Sequence, residues 1–159
     1  MNDLCEKRTW KYIQDRNFHD STIILDIDGV LMADSEKTIS EEIINHVQEL
    51  KRNNDVQVVT NSFIKERCRY VSEVLQIPWV DSPYKKPSIH ILNYMNYDSK
   101  KPLIMIGDKI LTDGIFAKRI GAEAIMMQRR IRTNDRLVIK FTYLIDDIAY
   151  WFFSLWCTR

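Results

Sequence analysis

Residues 22–31 read TIILDIDGVL, and the fold follows from them. Thr22–Leu25 holds two β-branched isoleucines and a leucine with no polar break, the pattern of a buried strand. Asp26 and Asp28 follow, one residue apart, and Gly29 permits a sharp turn behind them. Two ionised carboxylates at the end of a buried strand are costly unless a cation sits beside them. In an open α/β sheet that end is also where ligands bind. The pair suits Mg²⁺, which takes oxygen ligands and keeps positions for water and phosphate. A strand running into a solvated acidic turn is the plainer reading of the same residues.

The 159 residues carry a formal charge of +1, so no basic field argues for nucleic acid. One domain over residues 1–159 is expected, large enough to bury a core. Cys5, Cys68 and Cys157 are widely spaced, odd in number and without a CxxC pair. That argues against a disulfide framework or a zinc site and fits a reducing compartment. MNDLCEKRTWKYIQDR, residues 1–16, has no signal-peptide apolar run and carries acids uncommon in transit peptides. No segment reaches the roughly 18–20 apolar residues of a membrane span. A cytoplasmic protein, soluble or attached peripherally to a membrane, is the expectation.

Working outward, residues 4–16 suit a short helix with Leu4, Trp10 and Ile13 available to pack. Ser40 reads as an N-cap, with Glu41 and Glu42 in the first turn and Ile43, Ile44, Val47 and Leu50 at helical spacing. Val56–Thr60 is a second strand, and a helix spans Ile64–Leu75. Ile77–Val80 is a third strand containing Pro78, and Ser88 caps a helix of about ten residues. Leu103–Ile106 is a fourth strand, Thr112 caps a helix that Gly121 ends, and Ala124–Met127 is a fifth strand. Met105, Met126 and Met127 fall within strands as core filler. His19, His46 and His90 match no motif. A last helix spans residues 134–156. Strands alternating with helices predict an α/β fold: a five-stranded parallel sheet with helices on both faces.

Right-handed crossovers put the C-terminal ends of all strands on one rim. That rim collects Asp26 and Asp28, then Thr60 and Asn61, then Lys85 and Lys86, then Asp108 and Asp113. Each has an ordinary explanation taken singly: a strand-end hydroxyl, a solvated lysine pair, an acid at a helix start. Acids, a hydroxyl and a lysine arriving in this order after successive strands point jointly to a metal–phosphate site.

The order DxDGV, then an apolar run ending in Thr, then Lys-Pro, then GDxxxTD resembles the haloacid dehalogenase-like (HAD) superfamily over about residues 20–130. The resemblance implies a Rossmann-like fold and an aspartyl-phosphate formed on Asp26. It implies that Asp28 is the general acid and then the base. Thr60 and Asn61 would hold phosphoryl oxygens. Lys86, with Lys85 the alternative, would neutralise phosphate and pin the nucleophile. Mg²⁺ would be ligated by Asp26, Asp108 and the backbone carbonyl of Asp28, with Asp113 behind them or bound through water.

Residues 29–59 and 61–85 each leave space for little more than one helix, so no cap domain is expected. An open rim suits a bulky substrate whose phosphate protrudes. KKPS, GDKILTDGIFAKRIGAEAI and TNSFIKERCRYVSEVLQIP resemble the capless phosphatidylglycerophosphate phosphatases of bacteria and mitochondria. Gly29-Val30 stands where those enzymes usually carry Asn-Thr, and Lys109 where Gln or Arg is common. The resemblance implies a Mg²⁺-dependent phosphomonoester hydrolase of phospholipid biosynthesis, on the matrix side of the membrane in a eukaryote. The alternatives are a phosphatase of a soluble phosphomonoester or a nucleic-acid 3′-phosphate, and a phosphate-binding protein without turnover.

RRIRTNDRLVIK, residues 129–140, holds five basic residues against one acid. It reads as a solvated face or as a contact for an anionic membrane, worth about 1 kcal/mol per basic residue at the surface. Beyond it, Phe141, Leu144, Ile145, Ile148, Phe152 and Leu155 form one helical stripe, read as core. Tyr150, Trp151 and Phe153 fall outside the stripe and suit a homodimer contact, packing on the first helix, or a membrane interface.

Overall fold

The computed structural model describes residues 6–157 of the chain, and the side chains of residues 6–152. Its sheet has four parallel strands in the order β2-β1-β3-β4: β1 (Thr22–Leu25), β2 (Asp55–Val58), β3 (Leu103–Gly107) and β4 (Glu123–Met126). Alternation along the strands sorts the core into two layers. Ile23, Leu25, Val58, Ile104 and Ile106 pack on one side with Ile43, Val47 and Val71. Those come from α2 (Glu41–Lys51) and α3 (Lys65–Leu75), and Ile13 of α1 (Trp10–Arg16) joins them. Ile24, Met105 and Ala124 face the other way, onto Ile91 and Phe116. Phe116 belongs to α4 (Ile115–Ile120) and Ile91 to a 3₁₀ turn, Ile89–Tyr94. Both faces are therefore covered, as expected. Ser40 caps α2 by accepting the Ile43 amide (3.5 Å). Met105, Met126 and Met127 are buried, and Cys68 is buried and free. Leu4 and Cys5 lie outside the described residues.

The expected third strand, Ile77–Val80, shrinks to one bridge between Trp79 and Val58. Val58 donates to the Pro78 carbonyl (2.9 Å) and Val80 to the Val58 carbonyl (3.0 Å). Pro78 has no N–H with which to extend the ladder upstream. Downstream, the Val80 carbonyl accepts the Ser82 amide (3.1 Å) and the chain turns away. The sheet thus has four strands rather than five, with Trp79 closing the β2 edge. At the opposite edge, Arg8 bridges Met127: it donates to the Met126 carbonyl and accepts from Gln128, both at 2.7 Å.

Two helix starts also differ. Ser88 makes no side-chain cap, and the segment after it is the 3₁₀ turn. Thr112 lies inside a wide π-type turn, Ile110–Gly114, that precedes α4. There Asp113 accepts the amides of Asp108 and Lys109 (both 3.1 Å), which draws the turn around its carboxylate.

The largest departure is α5, Leu137–Cys157. Its stripe of Phe141, Leu144, Ile145, Ile148 and Phe152 is exposed rather than core. Both sheet faces are already occupied, so α5 sits over the π-type turn and, among its residues with described side chains, buries only Tyr143 and Asp146 deeply. Tyr150 is half-buried, with Lys7 over its ring (5.0 Å). Phe153 and Leu155 lie outside the residues whose side chains are described.

Candidate active site

The strand order reverses at β1, whose neighbours are β2 on one side and β3 on the other. The crevice beyond the C-terminal ends of β1 and β3 is the place where open α/β sheets bind ligands. Asp26 leaves β1 and Asp108 leaves β3 into that crevice. Two glycines let the loops approach. Gly29 has φ +90°, and a Cβ there would strike the Asp108 carboxylate; a Cβ on Gly107 would strike Asp113.

Carboxylate oxygens of Asp26, Asp108 and Asp113 lie within 4.8 Å of one another, and all three residues are buried. Lys86 Nζ reaches Asp26 Oδ1 (2.9 Å) and Asp113 Oδ1 (2.6 Å) with only 4% of the residue exposed. Arg129 pairs with Asp108 Oδ2 (2.8 Å). Burial pushes the Asp26 carboxyl up to about 6, against the pull of Lys86. Burial, with Asp113 and Asp26 adding to it, raises Asp108 to about 8. Burial works against the Lys86 ammonium, yet the carboxylates of Asp113 and Asp26 outweigh it and hold its pKa at about 12.

A divalent cation fits these residues. Asp108 Oδ1 is buried without a hydrogen-bond partner, and Asp26 faces the cleft beside it. An unpaired oxygen in a cluster of acids suits a hard, oxygen-seeking ion. Asp113 is committed to Lys86 and two backbone amides and is the least free of the three.

The raised carboxyl pKa values carry a sign. The folded chain holds protons on Asp26 and Asp108 that the unfolded chain has already released. These two groups therefore make stability fall as pH rises from about 4 to about 8. The contribution of Lys86 is fully present below its unfolded value of 10.5 and is lost only above it, so it is constant in this window. The thermal midpoint of metal-free chain is expected to drop between about pH 5 and pH 8, and Mg²⁺ to raise it more at the higher pH. An equal Mg²⁺ response at both would remove these carboxylates as ligands.

The other expected residues are on the same rim. Asp28 lines the cleft, but its carboxylate leaves the acid cluster for Arg67 of α3 (2.9 Å to Nη2, 3.1 Å to Nε). Arg67 also donates to the carbonyls of Glu36 (2.6 Å) and Ala33 (2.7 Å), fixing the loop that follows the acid pair. Thr60 Oγ1 accepts the Ser62 amide (3.1 Å), which leaves its hydroxyl proton for a ligand. Asn61 closes on Lys86: its Oδ1 accepts the Lys86 amide (2.7 Å) and its Nδ2 donates to the Lys86 carbonyl (3.0 Å). Its amide thus positions the lysine. Lys85 turns outward to the Ser62 carbonyl (3.0 Å) and the Phe63 ring (4.9 Å), so Lys86 is the lysine at the acids.

Sequence reading missed three residues behind the site. Arg129, counted in a basic run, is buried against Asp108, Asp146 and Asp147. Tyr143 stacks on it, 4.2 Å from ring centroid to guanidinium carbon. Asp146 accepts the Leu111 amide (2.9 Å) and so ties α5 to the π-type turn. Burial raises both the Asp146 carboxyl and the Tyr143 phenol.

A cleft of about 470 Å³ opens above the acids, walled by Phe63 and Ile64 on one side and by Arg136, Val138, Ile139 and Thr142 on the other. Three carboxylates, a buried lysine, an uncommitted hydroxyl and an apolar mouth together can accept a phosphoryl group carried on an apolar body. No match is found among curated proteins or among solved structures. The profile described as mitochondrial PGP phosphatase matches residues 10–132, which include every rim residue named above up to Arg129. The chain belongs to that family, the mitochondrial phosphatidylglycerophosphate (PGP) phosphatases, and is a phosphatase.

Proposed function

We propose that the chain hydrolyses phosphatidylglycerophosphate to phosphatidylglycerol and inorganic phosphate through an aspartyl-phosphate on Asp26, with Mg²⁺, at a mitochondrial membrane surface. The observation that carries the reading is Lys86 Nζ held 2.9 Å from Asp26 at the base of a cleft with an apolar mouth. The family supports the lipid substrate. Among the described residues no helix is long and apolar enough to cross a membrane.

Asp26 Oδ attacks phosphorus, the phosphorus–oxygen ester bond breaks, and Asp28 gives its proton to the departing glycerol oxygen. Water then attacks the aspartyl-phosphate, returns a proton to Asp28, and frees phosphate and the Asp26 carboxylate. Lys86 offsets charge on the phosphoryl oxygens, and the Thr60 hydroxyl donates to one of them. Asp28 is paired with Arg67 at 2.9 Å, so its acid and base roles require the carboxyl to turn from that arginine to the substrate. Asp26 and Asp108, with the Asp28 carbonyl, would hold the cation, which supplies further neutralisation of phosphoryl charge.

Phosphate release from PGP in mixed micelles tests this, with a soluble aryl phosphate and a phosphorylated oligonucleotide alongside. Mg²⁺-dependent release from the lipid, abolished by EDTA, is expected to exceed both others by about a hundredfold or more in kcat/KM, the value of remote binding contacts used in the transition state. Preference for a soluble substrate would keep the Asp26 chemistry and remove the lipid. Release undiminished by EDTA would remove the metal.

A further inference from the structure

The exposed face of α5 is unexplained by the site or by the family match, which ends at residue 132, before the helix begins. Leu137, Phe141, Leu144, Ile145, Ile148 and Trp151 lie along it, with Leu137 81% exposed. Their spacing keeps them on one side of a helix 21 residues long, about 32 Å. The opposite side carries Tyr143 and Asp146, which anchor it to the protein. Its first turn borders the cleft through Val138 and Ile139. Across the same mouth stands a second apolar projection, Phe63 (86% exposed) and Ile64, from the loop before α3.

We propose that these two projections, the α5 face and the Phe63–Ile64 loop, seat the enzyme on an anionic bilayer with the cleft mouth against the lipid headgroups. This deepens, and rests on, the lipid-phosphatase reading above. Charge favours a bilayer as the occupant. Arg130, Arg132, Arg136 and Lys140 flank the start of the face, and Lys85 sits beside Phe63. Arg130 and Arg132 share the single acid Glu36 and Arg136 pairs with Asp34, so these five cations outnumber the two acids they meet and leave the mouth net positive. The acids of this segment are engaged by the protein: Asp135 is buried on the Ser35 and Arg132 amides, Asp146 holds Leu111, and Asp147 pairs with Lys7 and Arg129. A helix apolar on one side and basic near one end lies in the plane of a membrane interface. A second copy on this face would instead cover the cleft that both projections border.

The test is co-sedimentation of the full chain with phosphatidylcholine vesicles, with and without phosphatidylglycerol, which carries no phosphomonoester to hydrolyse. Wild type is expected to bind the phosphatidylglycerol vesicles and to be released by high salt. The variant Phe141→Ser/Leu144→Ser/Ile148→Ser, altered only at exposed positions, is expected to lose at least about tenfold in partitioning. It should keep the wild-type thermal midpoint and aryl-phosphate turnover while losing turnover on PGP in vesicles. Wild type that ignores anionic vesicles overturns the proposal. So does a triple variant that binds as wild type, or a dimer held by this face that persists with vesicles present. Because phosphatidylglycerol binding needs no turnover, an inactive chain that still binds it would sink the phosphatase reading and leave the docking surface standing.

Discussion

Asp26→Asn will release phosphate at least about 10⁴-fold more slowly than wild type while its fold is kept, the scale of loss seen when a covalent nucleophile is removed. An amide has the shape of the carboxylate, but its nitrogen and oxygen cannot form the acyl-phosphate. Nothing in the packing opposes the change, because Asp26 is buried and held above its ordinary pKa chiefly by that burial. Neutralising it removes an unfavourable desolvation and leaves Lys86 paired with Asp113 at 2.6 Å. The thermal midpoint should therefore hold or rise. Acid quenching during turnover of ³²P-labelled substrate should trap label on wild type and none on the variant. Turnover within tenfold of wild type would end the covalent mechanism.

Lys86→Met takes the opposite course and damages fold and chemistry together. Methionine fills the same buried space, but Asp26 and Asp113 lose the ammonium between them. Removing one partner of a buried ion pair costs about 3–5 kcal/mol. The loss is expected in urea unfolding near neutral pH. It should shrink toward pH 5, where protonation of the stranded carboxylates substitutes for the missing charge. Mg²⁺ should restore part of it by supplying positive charge to the same acids. Turnover should fall by about 10³-fold or more, because in the proposed mechanism Lys86 also meets charge developing on the phosphoryl group. A destabilisation under about 1 kcal/mol would mean that the pair is not buried as described.

Much of the site was written in local chemistry. A β-branched run ending in Asp-x-Asp-Gly gives β1 and the acid pair, and the alternating elements bring Thr60, Lys86, Asp108 and Asp113 to the same rim. Pro78 was visible in the third strand, but its effect depends on which neighbour that strand would pair with, and only β2 was available. The contacts that could not be read join residues far apart in sequence. Asn61 closes on a peptide unit 25 residues later, and Arg67 reaches back 39 residues to Asp28. Arg129 looked like one member of a solvated run; its place three residues past Met126, on the rim, was the available signal. The α5 stripe has the periodicity of a core helix. Whether such a face is buried is decided by the sheet, and here both faces had been taken by α1–α4 and the 3₁₀ turn.

A sheet of four strands has two outer strands, and in this chain a single residue closes each. Trp79 occupies the outer side of β2, where its neighbours Pro78 and Val80 make the two backbone hydrogen bonds, and Arg8 occupies the outer side of β4 through two of its own. Unpaired strand edges invite strands from other molecules, and natural proteins block them with short or irregular cover. Arg8, outside the family match, pairs at the rim end of β4 and thus guards that edge against self-association. A chain trimmed to begin at Thr9 would keep every catalytic group and still expose the Met126 carbonyl and the Gln128 amide, so its first failure would be aggregation rather than lost chemistry.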